Sequence, residues 1–237
     1  MVTSVQQNRP CQLSLGVRLA DEASFDNYYS YGNEAAFQEI KKLCIQEKSL
    51  LYLWGGPDTG RTHLLQASCI EAHCEGMTAV YLPLAELVRY SIDLLEGLEQ
   101  YDLVCVDDVE NLASSDVWEE SFFHLFNRLQ QNGKTLLLSA NAPPKQLPIQ
   151  LEDLKSRLSA ALVFQLTILS DEHKLHALQL RAIHRGLYIG DEVGQFIISR
   201  CDRSMSSLFN LLEKLDNASL QARRKITIPF LKEILGW

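Results

Sequence analysis

No stretch of this chain comes near the ~18 consecutive apolar residues of a membrane-spanning helix, and its start has neither a basic leader nor an apolar signal core. Both absences set the expectation of a cytoplasmic protein with no membrane partner. Basic charge is also short: 22 Lys and Arg stand against 30 Asp and Glu, a net charge of −8. A surface that wraps duplex DNA by neutralising its phosphates is therefore disfavoured, although a local basic patch stays open. The six cysteines form no C-x-x-C pair, and Cys44, Cys69 and Cys105 fall inside apolar periodic segments, as reduced core residues do. Cys69, His73 and Cys74 lie close together, yet no second ligand pair follows at zinc spacing. Internal repeats and low-complexity linkers are absent too. What remains is an ordinary globular chain of 237 residues, 46% hydrophobic, long enough for one large domain with a small one beside it.

Short apolar runs alternate with helical patterns through the first two thirds of the chain. Strands are expected at 50–54, 79–82, 103–106, 135–139 and 162–166, and helices at 34–47, 62–75, 84–99, 117–131 and 151–158. Five strands with such crossovers predict a three-layer α/β/α domain with a parallel sheet. Gly133 marks a helix stop, and Ala142-Pro143-Pro144 breaks the chain after the fourth strand. From Ser170 the strand pattern gives way to amphipathic helices: Leu175, Leu178 and Ala182 form one apolar face, Val193, Phe196 and Ile197 a second, and Met205, Leu208, Leu211, Leu212 and Leu215 a third. Ser170 is a candidate helix cap and Pro229 a first-turn residue of a last helix. The expected organisation is a peptide at 1–19, an α/β nucleotide-binding domain at 20–168 and a small all-helical domain at 169–237.

The densest chemical signal is Gly55-Gly56-Pro57-Asp58-Thr59-Gly60-Arg61-Thr62, the phosphate-loop pattern G-x-x-x-x-G-K-[ST] with arginine in place of lysine. It follows the apolar run 50–54 and precedes a helical stretch, the context the motif requires. Glycines there let backbone N–H groups turn inward around phosphate oxygens, and the next helix presents the positive end of its dipole. Residues 55–62 with His63 are the candidate nucleotide ligands, and the Thr62 hydroxyl is a candidate Mg²⁺ ligand. A guanidinium at Arg61 can neutralise a β-phosphate, but it is wide and planar and does not simply replace a compact ammonium at a γ-phosphate. Binding is expected in preference to rapid hydrolysis.

Beyond the loop, Leu103-Val104-Cys105-Val106 delivers Asp107 and Asp108 to the end of a buried strand. In a Walker B reading Asp107 holds Mg²⁺ directly or through water and Asp108 orients the attacking water; the alternative is a strand ending in a solvated acidic turn. Asn141, after the fourth strand, is either a γ-phosphate contact or a turn residue. Arg157, in Lys155-Ser156-Arg157, stands where its own nucleotide is hard to reach, so a trans-acting role at a neighbour's γ-phosphate competes with a solvated helix end.

Together with Phe25-Asp26-Asn27, Gly32-Asn33 and Ile226-Thr227-Ile228, these residues resemble the AAA+ module of the bacterial initiator DnaA and of its shorter Hda-type relatives, the regulatory inactivators of DnaA, over 20–237. Initiators continue into a basic helix-turn-helix domain, whereas this sequence stops at Trp237, so the resemblance is to the regulator. It implies a nucleoside diphosphate, ADP, held with Mg²⁺ between core and lid, with Tyr28 to Asn33 beside the base. It also implies that Gln12, Leu13 and Leu15 of Gln12-Leu13-Ser14-Leu15 dock on the replication sliding clamp, the β subunit of DNA polymerase III. In that mode apolar side chains fill a groove while the glutamine makes oriented hydrogen bonds; an edge strand is the competing reading of the same alternation. Ser206 stands where relatives place a lid arginine, and Arg203, nearly a turn away, is expected to point elsewhere.

The implied function is negative regulation of replication initiation. The chain would bind the DNA-loaded clamp, touch DNA only through it, and stimulate hydrolysis of ATP on DnaA with Arg157 as a finger, its own ATPase being weak or absent. An autonomous ATPase of the helicase-loader or clamp-loader kind, using Asp107 and Asp108, is the alternative, and an initiator-type DNA-binding factor is a third. A homo-oligomer is left open.

Overall fold

A computed structural model describes residues 23–44, 49–222 and 224–236. Five strands, β1 (Leu50–Trp54), β2 (Ala79–Pro83), β3 (Leu103–Asp107), β4 (Thr135–Ala140) and β5 (Leu162–Gln165), form one parallel sheet in the order β2-β3-β4-β1-β5. The three central strands are almost continuously apolar and buried, as strands covered on both faces must be. Helices α1 (Glu34–Leu43), α2 (Arg61–Cys74), α4 (Asp116–Gln131) and α5 (Glu152–Ser159) cover it, with α2 lying along β2, β3 and β4 and α4 against β4 and α5. Gly133 adopts φ 63° behind α4, and the N–H of Lys134 bonds back to the carbonyl of Leu129, which closes the helix end as the sequence predicts.

One expected helix is corrected. Residues 84–99 form a single turn, α3 (Leu84–Leu87), and two 3-10 turns at Ile92–Leu95 and Leu98–Gln100. The apolar spacing misleads because Ser91 turns extended, its hydroxyl accepting the N–H of Asp93, and because Gly97 takes φ 74°. Leu84, Leu87, Leu95 and Leu98 nonetheless reach the core, so the period reports burial without a continuous helix.

After Leu166 the chain becomes helical. Here α6 (Asp171–His184), α7 (Asp191–Arg200), α8 (Met205–Ala222) and α9 (Ile228–Leu235) surround a second apolar cluster that includes Leu178, Ile197, Leu208, Leu212 and Leu231. Ser170 caps α6 by accepting the N–H of His173, and Thr227 does the same for Phe230 ahead of Pro229. No described helix is long and apolar enough to cross a membrane.

Candidate nucleotide site

The carboxyl ends of β1, β3 and β4 meet where strand order reverses, which is where open α/β sheets hold ligands. A cavity of about 530 Å³ opens there between the sheet and the helical domain. Backbone bonds fix its floor: the N–H of Gly55 donates to the carbonyl of Ala140 at the end of β4, and the Thr59 hydroxyl to the carbonyl of Gly56. Asp58 at φ 62° and Gly60 at φ 86° bend the loop so that α2 starts at Arg61 with its first N–H groups at the cavity. A Cβ on Gly60 would stand 2.8 Å from the Tyr28 ring, so glycine is required twice over at that position.

Arg61 is the pivot. Its Nη2 lies 3.5 Å from Asp108 Oδ1, while Nη1 is buried with no hydrogen-bond partner among the described residues. A buried, unsatisfied guanidinium N–H at the start of a helix is a donor waiting for an anion. Asp108 itself has φ 56°, a conformation Asp tolerates better than most residues, and its acidity is pushed to a pKa of about 6. Burial is the main cause and the charges of Asp107 and Glu110 add to it, with Arg61 opposing. Asp107 is buried, with Oδ2 accepting the Tyr81 hydroxyl at 2.8 Å and Oδ1 the Ser139 hydroxyl. The Tyr81 phenol is made a weaker acid, its pKa driven upward, by burial and by this carboxylate.

Of the sequence-predicted ligands, Tyr28, Asn33, Gly56, Asp58, Thr59, Gly60, Arg61, Thr62 and His63 line the cavity. Gly55 is packed beneath it, and Pro57 and Asn141 are exposed outside the lining. Asn33 is engaged with Thr167: its amide donates to that carbonyl and its Oδ1 accepts the Thr167 N–H, stitching the entrance segment to the end of β5. His63 donates from Nε2 to the Ser24 carbonyl, and burial drops its pKa to about 4, so it is neutral at pH 7. Burial raises the Tyr28 phenol to about 12. Arg157 lies on α5, exposed and outside the cavity lining, with no hydrogen-bond or ion-pair partner among the described residues. Gln12, Leu13 and Leu15 fall outside the described residues.

A family model of the bacterial DnaA ATPase domain matches residues 19–165, and one described as the Hda lid domain matches residues 171–235. The chain belongs to the DnaA-related AAA+ family, of the Hda type. This Hda-type chain is similar to domain III of the Thermotoga maritima replication initiation protein DnaA, with a TM-score of 0.77 at 21% identity over 93% of this chain and 98% of that one. DnaA from Aquifex aeolicus, solved with AMPPCP bound, gives 0.71 at 21% identity, covering 86% of this chain and 68% of that one. At such identities the likeness speaks for the fold, which is the one expected from the sequence.

The lid of this Hda-type chain closes the cavity with Leu169, Ala177, Arg181, Met205, Ser206 and Phe209. Arg203 is drawn away into an ion pair with Asp171 at 2.7 Å, as its position a turn earlier predicts. Arg181 and Phe209 belong to no motif, while Tyr29 falls in the segment Tyr28 to Asn33 expected beside the base. Arg181 does leave one trace in the sequence, a charge set inside the apolar stripe Ala177, Leu178, Ala182.

Proposed function

We propose that this chain regulates replication initiation by holding a nucleoside diphosphate, ADP, in the core–lid cleft while acting on ATP bound to a partner. The observation that carries the first half is the Arg61–Asp108 ion pair. It sets the loop cation against the carboxylate that would orient a hydrolytic water, and leaves Arg61 Nη1 for a phosphate oxygen. The residues suit the group: loop N–H groups, Arg61 and the Thr62 hydroxyl face one cavity. Bound Mg²⁺ would neutralise phosphate charge there, held by Thr62 and, through water, by Asp107. The AMPPCP seen in the Aquifex aeolicus DnaA supports an adenine nucleotide.

The second half rests on Arg157, an exposed cation outside its own cavity. In this reading the partner is initiator-bound ATP, and Gln12, Leu13 and Leu15 tether the chain to the DNA-loaded sliding clamp. Calorimetric titration of the isolated protein should give ADP an affinity at least equal to that of ATP, with negligible phosphate release. Rapid turnover would favour the rival autonomous ATPase, for which the Asp107–Asp108 pair is the supporting feature. Changing Gln12→Ala with Leu13→Ala should abolish clamp pull-down and leave ADP binding intact; retained clamp binding would remove that peptide from the proposal.

A further inference from the structure

One buried acid of the core has no part in the nucleotide cleft. Glu119, in the first turn of α4, is 2% exposed and does not line the cavity. Its carboxylate accepts two successive backbone N–H groups: that of Gln150 at 3.1 Å on Oε1 and 3.0 Å on Oε2, and that of Leu151 at 2.8 Å on Oε2. Those two residues lead directly into α5, the helix that carries Arg157. Burying a carboxylate is costly unless such bonds compensate it, and bonds from backbone N–H to a carboxylate are among the stronger kinds. Leu151 is the N-cap of α5 and offers no side-chain cap, so the tie that locates the start of this helix comes from α4. Leu154 and Leu158 bury one face of α5, but apolar packing is non-directional, whereas the Glu119 bonds fix where along α4 the helix begins. By way of the 3-10 turn at Val109–Ser114, α4 in turn follows the end of β3 that carries Asp107 and Asp108.

We propose that Glu119 is a positioning residue for Arg157: by clamping the start of α5 to α4, it sets where the exposed guanidinium projects toward a partner's γ-phosphate. This rests on the reading of Arg157 as a trans-acting finger. Arg157 stands six residues beyond Leu151, about 9 Å along a helix at 1.5 Å per residue. A shift at the start of α5 is carried along that short rod to the guanidinium, and a displacement of about 1 Å at a reacting centre can cost about 100-fold in rate.

The test is single-turnover hydrolysis on DnaA preloaded with ATP, with clamp-loaded DNA, in which each protein is raised to saturation so that maximal rate and half-saturating concentration separate. Glu119→Met fills the space but accepts no N–H, and Glu119→Gln keeps the shape and one acceptor oxygen; each is made in the wild-type and in the Arg157→Ala protein. Glu119→Met should lower the maximal rate about 10- to 100-fold and Glu119→Gln about three- to tenfold, with half-saturation and ADP affinity within about threefold of wild type. In the Arg157→Ala protein both changes should alter what stimulation remains by less than about threefold, because the group they position is gone. The same loss in both backgrounds, a loss confined to half-saturation, or a maximal rate for Glu119→Gln within about twofold of wild type would overturn the assignment and leave the finger standing. Should Glu119→Met fail to fold, the two Glu119→Gln proteins carry the test alone. Stimulation by Arg157→Ala within about threefold of wild type would overturn the finger and this inference with it.

Discussion

Two acidic residues in succession end β3, and their environments divide them. Asp107 accepts two hydroxyls in the interior, whereas Asp108 faces Arg61 with its ionised form penalised by burial and by two neighbouring carboxylates. Because its folded pKa lies near 6, above the ordinary value of 3.8, the protonated form is favoured by folding. That contribution is complete below pH 3.8 and is lost as pH rises through about 6. With 30% of the side chain exposed, solvent screens part of the penalty, leaving about 1 kcal/mol. Asp108→Asn, neutral throughout, should therefore be more stable than wild type by about that amount at pH 8 and show little advantage at pH 4, by urea denaturation without ligand. A gap of the same size at both pH values would contradict the assignment. Residues of this kind differ in how visible they are from sequence. Arg61 and Asp108 sit in motifs, but the partners of Asp107 emerge only from register: Tyr81 lies two residues before Pro83, which pairs with Asp107, and Ser139 follows Leu138, the partner of Val106. Such neighbours are unknown until strand order is known.

Elements were legible where one period ran without competition. The strands are short, continuously apolar and bounded by turns, so their limits shift by only a residue from expectation. Residues 84–99 failed because Ser91 and Gly97 redirect the backbone inside an otherwise helical spacing. The turn after β1 shows how tightly elements constrain each other. A Cβ on Gly55 would come 2.7 Å from the Leu166 carbonyl oxygen, which is backbone and continues β5, whereas one on Gly56 would meet nothing within 4 Å. Gly55→Ala should cost about 1–3 kcal/mol and impair ADP binding, since the sheet or the loop must shift. Gly56→Ala should fold like wild type. Thermal melts of the two proteins side by side, with and without ADP, check this contrast; equal behaviour would mean that Leu166 yields more readily than a paired strand should.

At the scale of the whole molecule, two apolar cores meet over one polar cleft, and the proposed division of labour follows from what faces inward and what faces out. Arg61 and the phosphate loop face the cleft, while Arg157 faces solvent on α5. The lid's helical nature was readable from the stripes of α6 and α8, but its closure over the loop was not, because that depends on contacts between residues such as Tyr28, His63 and Phe209 far apart in sequence. An exposed arginine contributes little to folding, so Arg157→Ala should retain thermal stability, ADP binding and clamp binding. Its loss should be felt at the partner's γ-phosphate, where a finger cation stabilises developing charge. The most direct measurement is single-turnover hydrolysis on DnaA preloaded with ATP, in the presence of clamp-loaded DNA, with wild-type or Arg157→Ala protein added. The account predicts stimulation by wild type and loss of most of it, on a scale approaching ~10³, with Arg157→Ala; stimulation by the variant within about threefold of wild type would contradict it.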